Sequence, residues 1–405
     1  MQPVPAPSGD DAAPEHLRTI TLGRAKALIR AMAHEQSLLL LAPPGIGKSD
    51  IVFEAAREAG LPCRSLLGTQ IAPEDVSGVP RIVGERSVFC PPRTLLPEDG
   101  RPFCLFLDEL PACAPDVQKA FYSLLLERRI GEFALPPGSW VVAAGNRVQD
   151  RALVRSMSSA LVNRVTVLNL RADVGEWLGW AGAHGVRPEV RRFVACLPES
   201  LVRAVPDVPA PFSTPRAWAA FSRALDLAEA RGALDADARR ALAFGRLSPR
   251  DAAVFCAIAD ETAAPLRELG DYLVEPATLP EGLSARWFVL DCIRQHLKAG
   301  TLPSVEAPVV DRFLRALPDE HQLAVVTDLV ERWADLGGEA AMHALLARVA
   351  ALPSRGAPDG GAGADAAVAT DCAAGGSATD ATPAPASPID AVPLGAGDLP
   401  HGSAA

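Results

Sequence analysis

Ala42, Pro43, Pro44, Gly45, Ile46, Gly47, Lys48 and Ser49 follow directly on the apolar run Leu38, Leu39, Leu40 and Leu41. Four large apolar residues in succession read as a short strand buried on both faces. On the other side, Ile51, Val52, Ala55, Ala56 and Ala59 recur at helical spacing and stop at Gly60. A strand, a glycine-bearing loop and a helix in this order form a cradle for a phosphate chain. Glycines let backbone N–H groups wrap the phosphates with no Cβ in the way, a lysine neutralises the β and γ oxygens, and a hydroxyl ligates Mg²⁺. The usual pattern G-x-x-x-x-G-K-[ST] starts with glycine where this chain has Ala42, outside the cradle itself. The residues expected to contact a nucleotide are Pro44, Gly45, Ile46, Gly47, Lys48, Ser49 and Asp50, with Ser49 also a metal ligand.

Two further strand candidates end in polar groups. Phe103 to Leu107 is apolar and leads into Asp108 and Glu109, as a buried strand does when it delivers acids to its C-terminal edge, where ligands bind in a doubly wound sheet. Asp108 is expected to hold Mg²⁺ through water, and Glu109 to orient and polarise an attacking water. Trp140 to Ala144 leads into Gly145 and Asn146. That amide reads equally as a group holding the same water or as a turn former.

Short apolar strands at 37–42, 63–67, 103–107, 140–144 and 165–170 alternate with helical patterns at 22–33 and 116–129, which predicts a three-layer α/β domain with a mainly parallel sheet. Residues 79–89 hold two β-prone arms around Gly84, Glu85 and Arg86, predicting an inserted hairpin. A second hairpin is expected at 131–140, with Pro136, Pro137 and Gly138 at its tip. Beyond about residue 173 the pattern turns helical, with candidates at 190–197, 214–229, 235–243, 286–299, 310–317 and 319–333. The expected division is a disordered 1–14, a nucleotide-binding α/β domain at 15–172, a helical lid at 173–270, a helical extension at 271–355 and a disordered acidic Ala/Gly/Pro-rich tail at 356–405.

Composition excludes several functions. No stretch approaches the 18 apolar residues of a membrane span, and the N-terminus lacks the basic start and apolar run of a secretory signal, so a cytoplasmic location is expected. Eight cysteines show no C-x-x-C pair or zinc spacing, which predicts free thiols. Six of the 49 acidic residues and none of the 39 basic ones lie after Arg355, leaving a nearly neutral body without a basic cluster. Tight nonspecific binding to nucleic-acid phosphates is not expected of such a body. Arg147, Arg151 and Arg155, spaced by four, read as a solvated helix face. Trp218 reads as a core residue and not as a stacking platform for a base.

With these motifs in place the chain resembles the AAA+ ATPases, and within them the MoxR family of the helix-2-insert group. The resemblance covers about residues 15–225. It rests on the phosphate loop, on Glu74 to Gly78 before the first hairpin, on Leu107, Asp108, Glu109 and Leu110, on the helix from Gln118 to Glu127, on Ala144, Gly145 and Asn146, on Ala160 to Arg164, and on Ser213 to Arg216. It implies that Asn146 is sensor 1, that Arg164 is an arginine finger reaching the γ-phosphate held by a neighbouring subunit, and that Arg216 is sensor 2 at the start of a lid helix. An arginine finger stabilises the charge of phosphoryl transfer bidentately and is worth roughly 10³ or more in rate. The resemblance further implies ATP with Mg²⁺, a homo-oligomeric and most commonly hexameric ring, and a protein client served together with a von Willebrand factor A-domain partner. Leu110 to Pro115 is apolar where many relatives carry a polar or basic residue, so an inter-subunit contact there is not implied. A nucleic-acid translocase, a slow nucleotide-gated switch and an activator of one metabolic enzyme stand as alternatives.

Overall fold

The computed structural model describes residues 18–326, apart from 94, 98, 148, 149, 151–156, 263–265 and 303–305, and also residues 329 and 347. The expectations for 1–14 and 356–405, for Arg151 and Arg155, and for the end of the 319–333 helix lie outside the described residues. In chain order the first half runs α1 (Leu22–Met32), β1 (Leu38–Leu41), α2 (Lys48–Glu58), β2 (Cys63–Leu67), α3 (Pro73–Ser77), β3 (Val79–Val83), β4 (Arg86–Cys90), β5 (Cys104–Asp108), α4 (Pro115–Ala120), α5 (Tyr122–Glu127), β6 (Arg129–Ile130), β7 (Phe133–Ala134), β8 (Trp140–Gly145), α6 (Ser159–Val162) and β9 (Thr166–Asn169).

Strands β2, β5, β8, β1 and β9 lie side by side in that order, every pairing parallel. Because side chains alternate along a strand, the apolar runs sort onto two faces. Leu38, Leu40, Phe106, Val142 and Ala144 pack with Ala25, Ile29, Val52 and Ala55 of α1 and α2. Leu39, Leu105, Leu107, Val141 and Ala143 pack with Val117, Phe121, Leu124 and Leu125 around α4 and α5. Burial on both faces is what makes these strands read as unbroken apolar runs instead of alternating ones.

Strands β3 and β4 pair antiparallel with Val83 opposite Arg86, so the turn is the two residues Gly84 and Glu85. Gly84 sits at φ +64°, the left-handed region that tight hairpin turns need. The second hairpin differs from expectation. Its arms are β6 and β7, with Ile130 opposite Phe133, and its tip is Gly131 and Glu132. Gly131, at φ +55°, can take the left-handed turn conformation, whereas proline, locked at negative φ, cannot. Pro136 to Gly138 form the connection into β8. The helix expected over 116–129 is broken at Phe121, whose N–H bonds back three residues to Gln118 O. It ends before Arg128, which takes the left-handed conformation at φ 55°.

The second half is helical: α7 (Val174–Ala183), α8 (Pro188–Cys196), α9 (Pro215–Glu229), α10 (Ala236–Phe244), α11 (Pro249–Glu261), α12 (Leu269–Val274), α13 (Leu283–Ala299), α14 (Ala307–Ala316) and α15 (Asp319–Val326). Its buried residues, from Trp177 to Leu329, make one continuous cluster. Phe193 of α8 stacks on Phe288 of α13 at 5.6 Å and meets Trp218 and Phe255 edge-on or tilted. The division expected at 270–271 therefore does not coincide with a break in packing. Glu261, in the last turn of α11, accepts the Ala285 N–H at the start of α13 at 3.1 Å and ties the two segments again. Trp218 is fully buried, with its indole N–H on Ser200 O at 2.8 Å, as a core residue should be. Among the described residues no helix is long and apolar enough to cross a membrane.

One shared core should melt once. Phe193→Ala is expected to cost about 3–5 kcal/mol and to shift a single cooperative urea transition of the helical half. Separate transitions for the segments before and after residue 270, with only the first one shifted, would show two cores instead.

Candidate functional site

The C-terminal ends of four neighbouring strands deliver their polar groups to the same edge. β1 leads into the phosphate loop, β8 into Asn146, β5 into Asp108 and Glu109, and β2 into Thr69. Their alignment is fixed by register, with Leu41 opposite Gly145, Leu107 opposite Ala143 and Leu67 opposite Asp108. Parallel pairing thus converts residues far apart in sequence into neighbours at the position where doubly wound sheets bind ligands.

In the loop, Gly45 and Gly47 stand at φ +76° and +106°, conformations that L side chains resist. The first backbone bond within α2 is Ile51 N–H to Gly47 O at 3.2 Å. The N–H groups of Lys48, Ser49 and Asp50 precede it and have no carbonyl one turn back, which with the helix dipole makes an anion site. The Asp50 side chain is exposed. Ile46 is buried beneath the loop and Pro44 is half-buried.

Lys48 is buried, and its ammonium donates to Ala42 O at 2.9 Å, Pro43 O at 3.0 Å and Asn146 Oδ1 at 2.9 Å. Burial pushes its pKa down to about 8; the Asp108 and Asp150 carboxylates oppose that shift, and the Arg216 and Arg147 guanidiniums add to it. The unfolded chain holds this proton to higher pH, so the depressed value weakens the fold at neutral pH, and the loss lessens as pH rises from about 8.

The Ser49 hydroxyl donates to Asp108 Oδ2 at 3.0 Å, and the other carboxylate oxygen accepts the Glu109 N–H at 3.0 Å. A hydroxyl from the first turn of α2 and a carboxylate from the end of β5, converging on one point, form an oxygen donor set suited to Mg²⁺. Glu109 adopts φ 57°, ψ 31°, which costs a non-glycine residue on the order of 1–2 kcal/mol. The bend turns its carboxylate off the strand line to where the Thr69 hydroxyl donates to it at 3.0 Å. Two glycines permit this crowding. A Cβ on Gly68 would lie 2.2 Å from Cys113 Sγ, and one on Gly145 would lie 2.2 Å from Pro111 Cδ.

Arg216 and Arg164 are placed differently. The Arg216 backbone N–H donates to Gly45 O at 3.0 Å, so the first turn of α9 docks on the phosphate loop. Thr214 stands 2.7 Å from where a Gly45 Cβ would be. The Arg216 side chain is exposed beside the loop. Arg164 donates to Ala160 O at 2.7 Å and lies over the Tyr122 ring at 4.9 Å. None of these contacts joins it to Lys48, Ser49, Asp108 or Asn146.

Arg147 corrects the sequence reading of a solvated face. It chelates Asp150 through Nε and Nη2 at 3.0–3.3 Å, and the two side chains are only 16% and 8% exposed. Asp150, Thr69 and Thr214 are the members of the site that sequence reasoning missed. Asp150 left a signal in its spacing of three from Arg147, and Thr214 in its place within the Ser213 to Arg216 motif.

Strand order, phosphate loop and acid-bearing strand define an α/β fold with a phosphate-loop motif and a helical C-terminal part. No protein-family profile matches the chain, and no curated protein does. Among solved structures it is similar to the Thermotoga maritima RuvB Holliday junction branch migration motor, at 16% identity over 72% of this chain and 86% of that one, with a TM-score of 0.34. A putative ATPase from Cytophaga hutchinsonii matches at 14% identity over 58% and 80%, TM-score 0.33. Domain III of the Thermotoga maritima replication initiation protein DnaA matches at 12% identity over 57% and 88%, TM-score 0.33.

The depressed lysine sets a pH dependence. A bound diphosphate favours the ammonium form, so above about pH 8 binding must take up a proton. ADP affinity, measured by calorimetry, is expected to be level below that pH and to fall by up to about tenfold per pH unit above it. Lys48→Met should flatten the profile, and a level wild-type profile would show that the amine is not depressed.

Proposed function

We propose that the chain is an AAA+ ATPase that works as an oligomeric ring and remodels or activates a protein client. The observation that carries this reading is the convergence of Lys48, Ser49, Asp108, Glu109 and Asn146 on one sheet edge beside a glycine-bearing helix N-terminus. The backbone N–H groups and Lys48 bind the β- and γ-phosphates of ATP. Ser49 and Asp108 would hold Mg²⁺, which neutralises phosphate charge when bound. Glu109 and Asn146 orient a water in line with the γ-phosphorus. Glu109 accepts the water proton as the new P–O bond forms, and the bridging oxygen leaves with ADP.

Arg164 lies away from its own chain's phosphate loop, which supports its use on a neighbour's nucleotide. A hexameric ring and a von Willebrand factor A-domain partner follow from the MoxR resemblance. A protein client is favoured over nucleic acid by the β3–β4 hairpin. Val79, Ile82, Val83 and Phe89 are all exposed on it, Ile82 by 79%, against two arginines and one glutamate.

ATP turnover is expected to rise with protein concentration and to fall on the order of 10³-fold in Arg164→Ala, with a comparable collapse in Glu109→Gln. Mixing the two inactive variants should restore part of the activity, because mixed rings contain sites with both an intact glutamate and an intact finger. Concentration-independent turnover, with Arg164→Ala at the wild-type rate, would overturn the ring. Tight ATP binding with no turnover under any condition would favour the switch.

A further inference from the structure

We propose that Asp251, acting through Ser213, is a positioning residue for the nucleotide site: it fixes the four-residue strap 213–216 that seats α9 on the phosphate loop. The inference rests on the ATPase reading above and assigns a role to residues outside the phosphate cradle.

Asp251 is fully buried on α11. Its carboxylate accepts from Arg203 Nη2 at 2.6 Å and Nε at 3.0 Å, from Ser213 Oγ at 2.6 Å and from Ser248 Oγ at 2.7 Å. Ser213 is held from its other sides too. Its carbonyl accepts the Arg203 N–H at 2.9 Å and its hydroxyl accepts the Ser248 N–H at 3.1 Å. A buried carboxylate is tolerated only when its lone pairs are filled in this way. Each filled pair pins a different segment, so the network has one arrangement.

From Ser213 the chain runs straight into the site. Thr214 caps α9, its hydroxyl accepting the Ala217 N–H at 3.1 Å, and packs where a side chain on Gly45 would otherwise stand. Pro215 opens the helix with φ preset and no N–H to satisfy. The Arg216 N–H has no carbonyl one turn back in its own helix, and Gly45 O supplies the partner at 3.0 Å. Gly45 belongs to the cradle, so the strap sets the place, relative to that cradle, from which the Arg216 guanidinium starts. The strap's other end is clamped by Asp251. Loosening that clamp leaves every phosphate-binding side chain present but displaces the helix N-terminus carrying Arg216. Misplacement on the ångström scale is enough to cost an order of magnitude or more in rate.

The test is a double-mutant cycle in the full chain, read on ADP affinity and on ATP turnover. Ser213→Ala removes one hydroxyl and leaves Asp251 its bonds to Arg203 and Ser248. It is expected to lower both readouts roughly three- to tenfold. In an Arg216→Ala background the same substitution should have almost no further effect, because strap and arginine act as one unit. Asp251→Asn, if it folds, should behave as Ser213→Ala does, and Ser213→Ala carries the test if it does not. A merely structural role predicts losses that add to that of Arg216→Ala, and additivity, or wild-type behaviour of Ser213→Ala, overturns the proposal. Lys48→Ala run in parallel separates the two readings. Lys48-dependent binding with an unaffected Ser213→Ala sinks the strap alone, whereas no Lys48-dependent binding sinks the ATPase reading and the strap with it.

Discussion

A cation buried at the end of a sheet has to be held by oxygen, and the site is organised around that requirement. Lys48 finds its oxygens in two loop carbonyls and in the Asn146 side chain, contributed by the strands on either side of the β1–β8 seam. A bound phosphate chain offers the same ammonium charged oxygens in exchange for neutral ones, which adds the attraction of opposite charges to each hydrogen bond. The protein-only arrangement therefore keeps the lysine satisfied without satisfying it well. Asn146 is drawn into the same exchange, because an amide released from the lysine is free to hold something else.

Burial gives these bonds their weight. The two apolar faces of the sheet exclude water beneath the loop, so burial acts first on the Lys48 ammonium and the charges of Asp108, Asp150, Arg216 and Arg147 act on it over distance. The Arg147–Asp150 pair adds no net charge to this region, so the pull of the lysine and the helix terminus on an anion is opposed chiefly by the Asp108 carboxylate. On the far side, the strap from Ser213 to Arg216 joins the loop to a helical core that continues to Leu329 without interruption.

Much of this was legible in the sequence because double-sided burial leaves an unmistakable mark. Runs such as Leu38 to Leu41 and Trp140 to Ala144 allow few other placements, and the residues that follow them must emerge at the sheet edge. The structure accordingly brings Lys48, Ser49, Asp108 and Asn146 together. What stayed hidden depends on contacts between distant residues. Thr69 reaches Glu109 only because β2 pairs with β5, and Thr214 meets Gly45 across 169 positions of chain. The tip of the second hairpin was misread because a Pro-Pro-Gly run is a strong turn signal, and the register of two-residue strands leaves almost no pattern to compete with it. Arg147 looked solvated because a spacing of four suggests a helix face, whereas its partner at spacing three buries it.

Gly145 and Pro111 meet so closely that neither side can move toward the other. Pro111 lies two residues beyond Glu109, and Gly145 immediately precedes Asn146. The acid that would accept a proton and the amide that would hold the water are thus mounted on one plate, with the proline ring as the shim between them. A plate of this kind cannot be tuned from within, since any larger residue at either place displaces both groups together. Adjustment is left to parts that approach from outside the sheet.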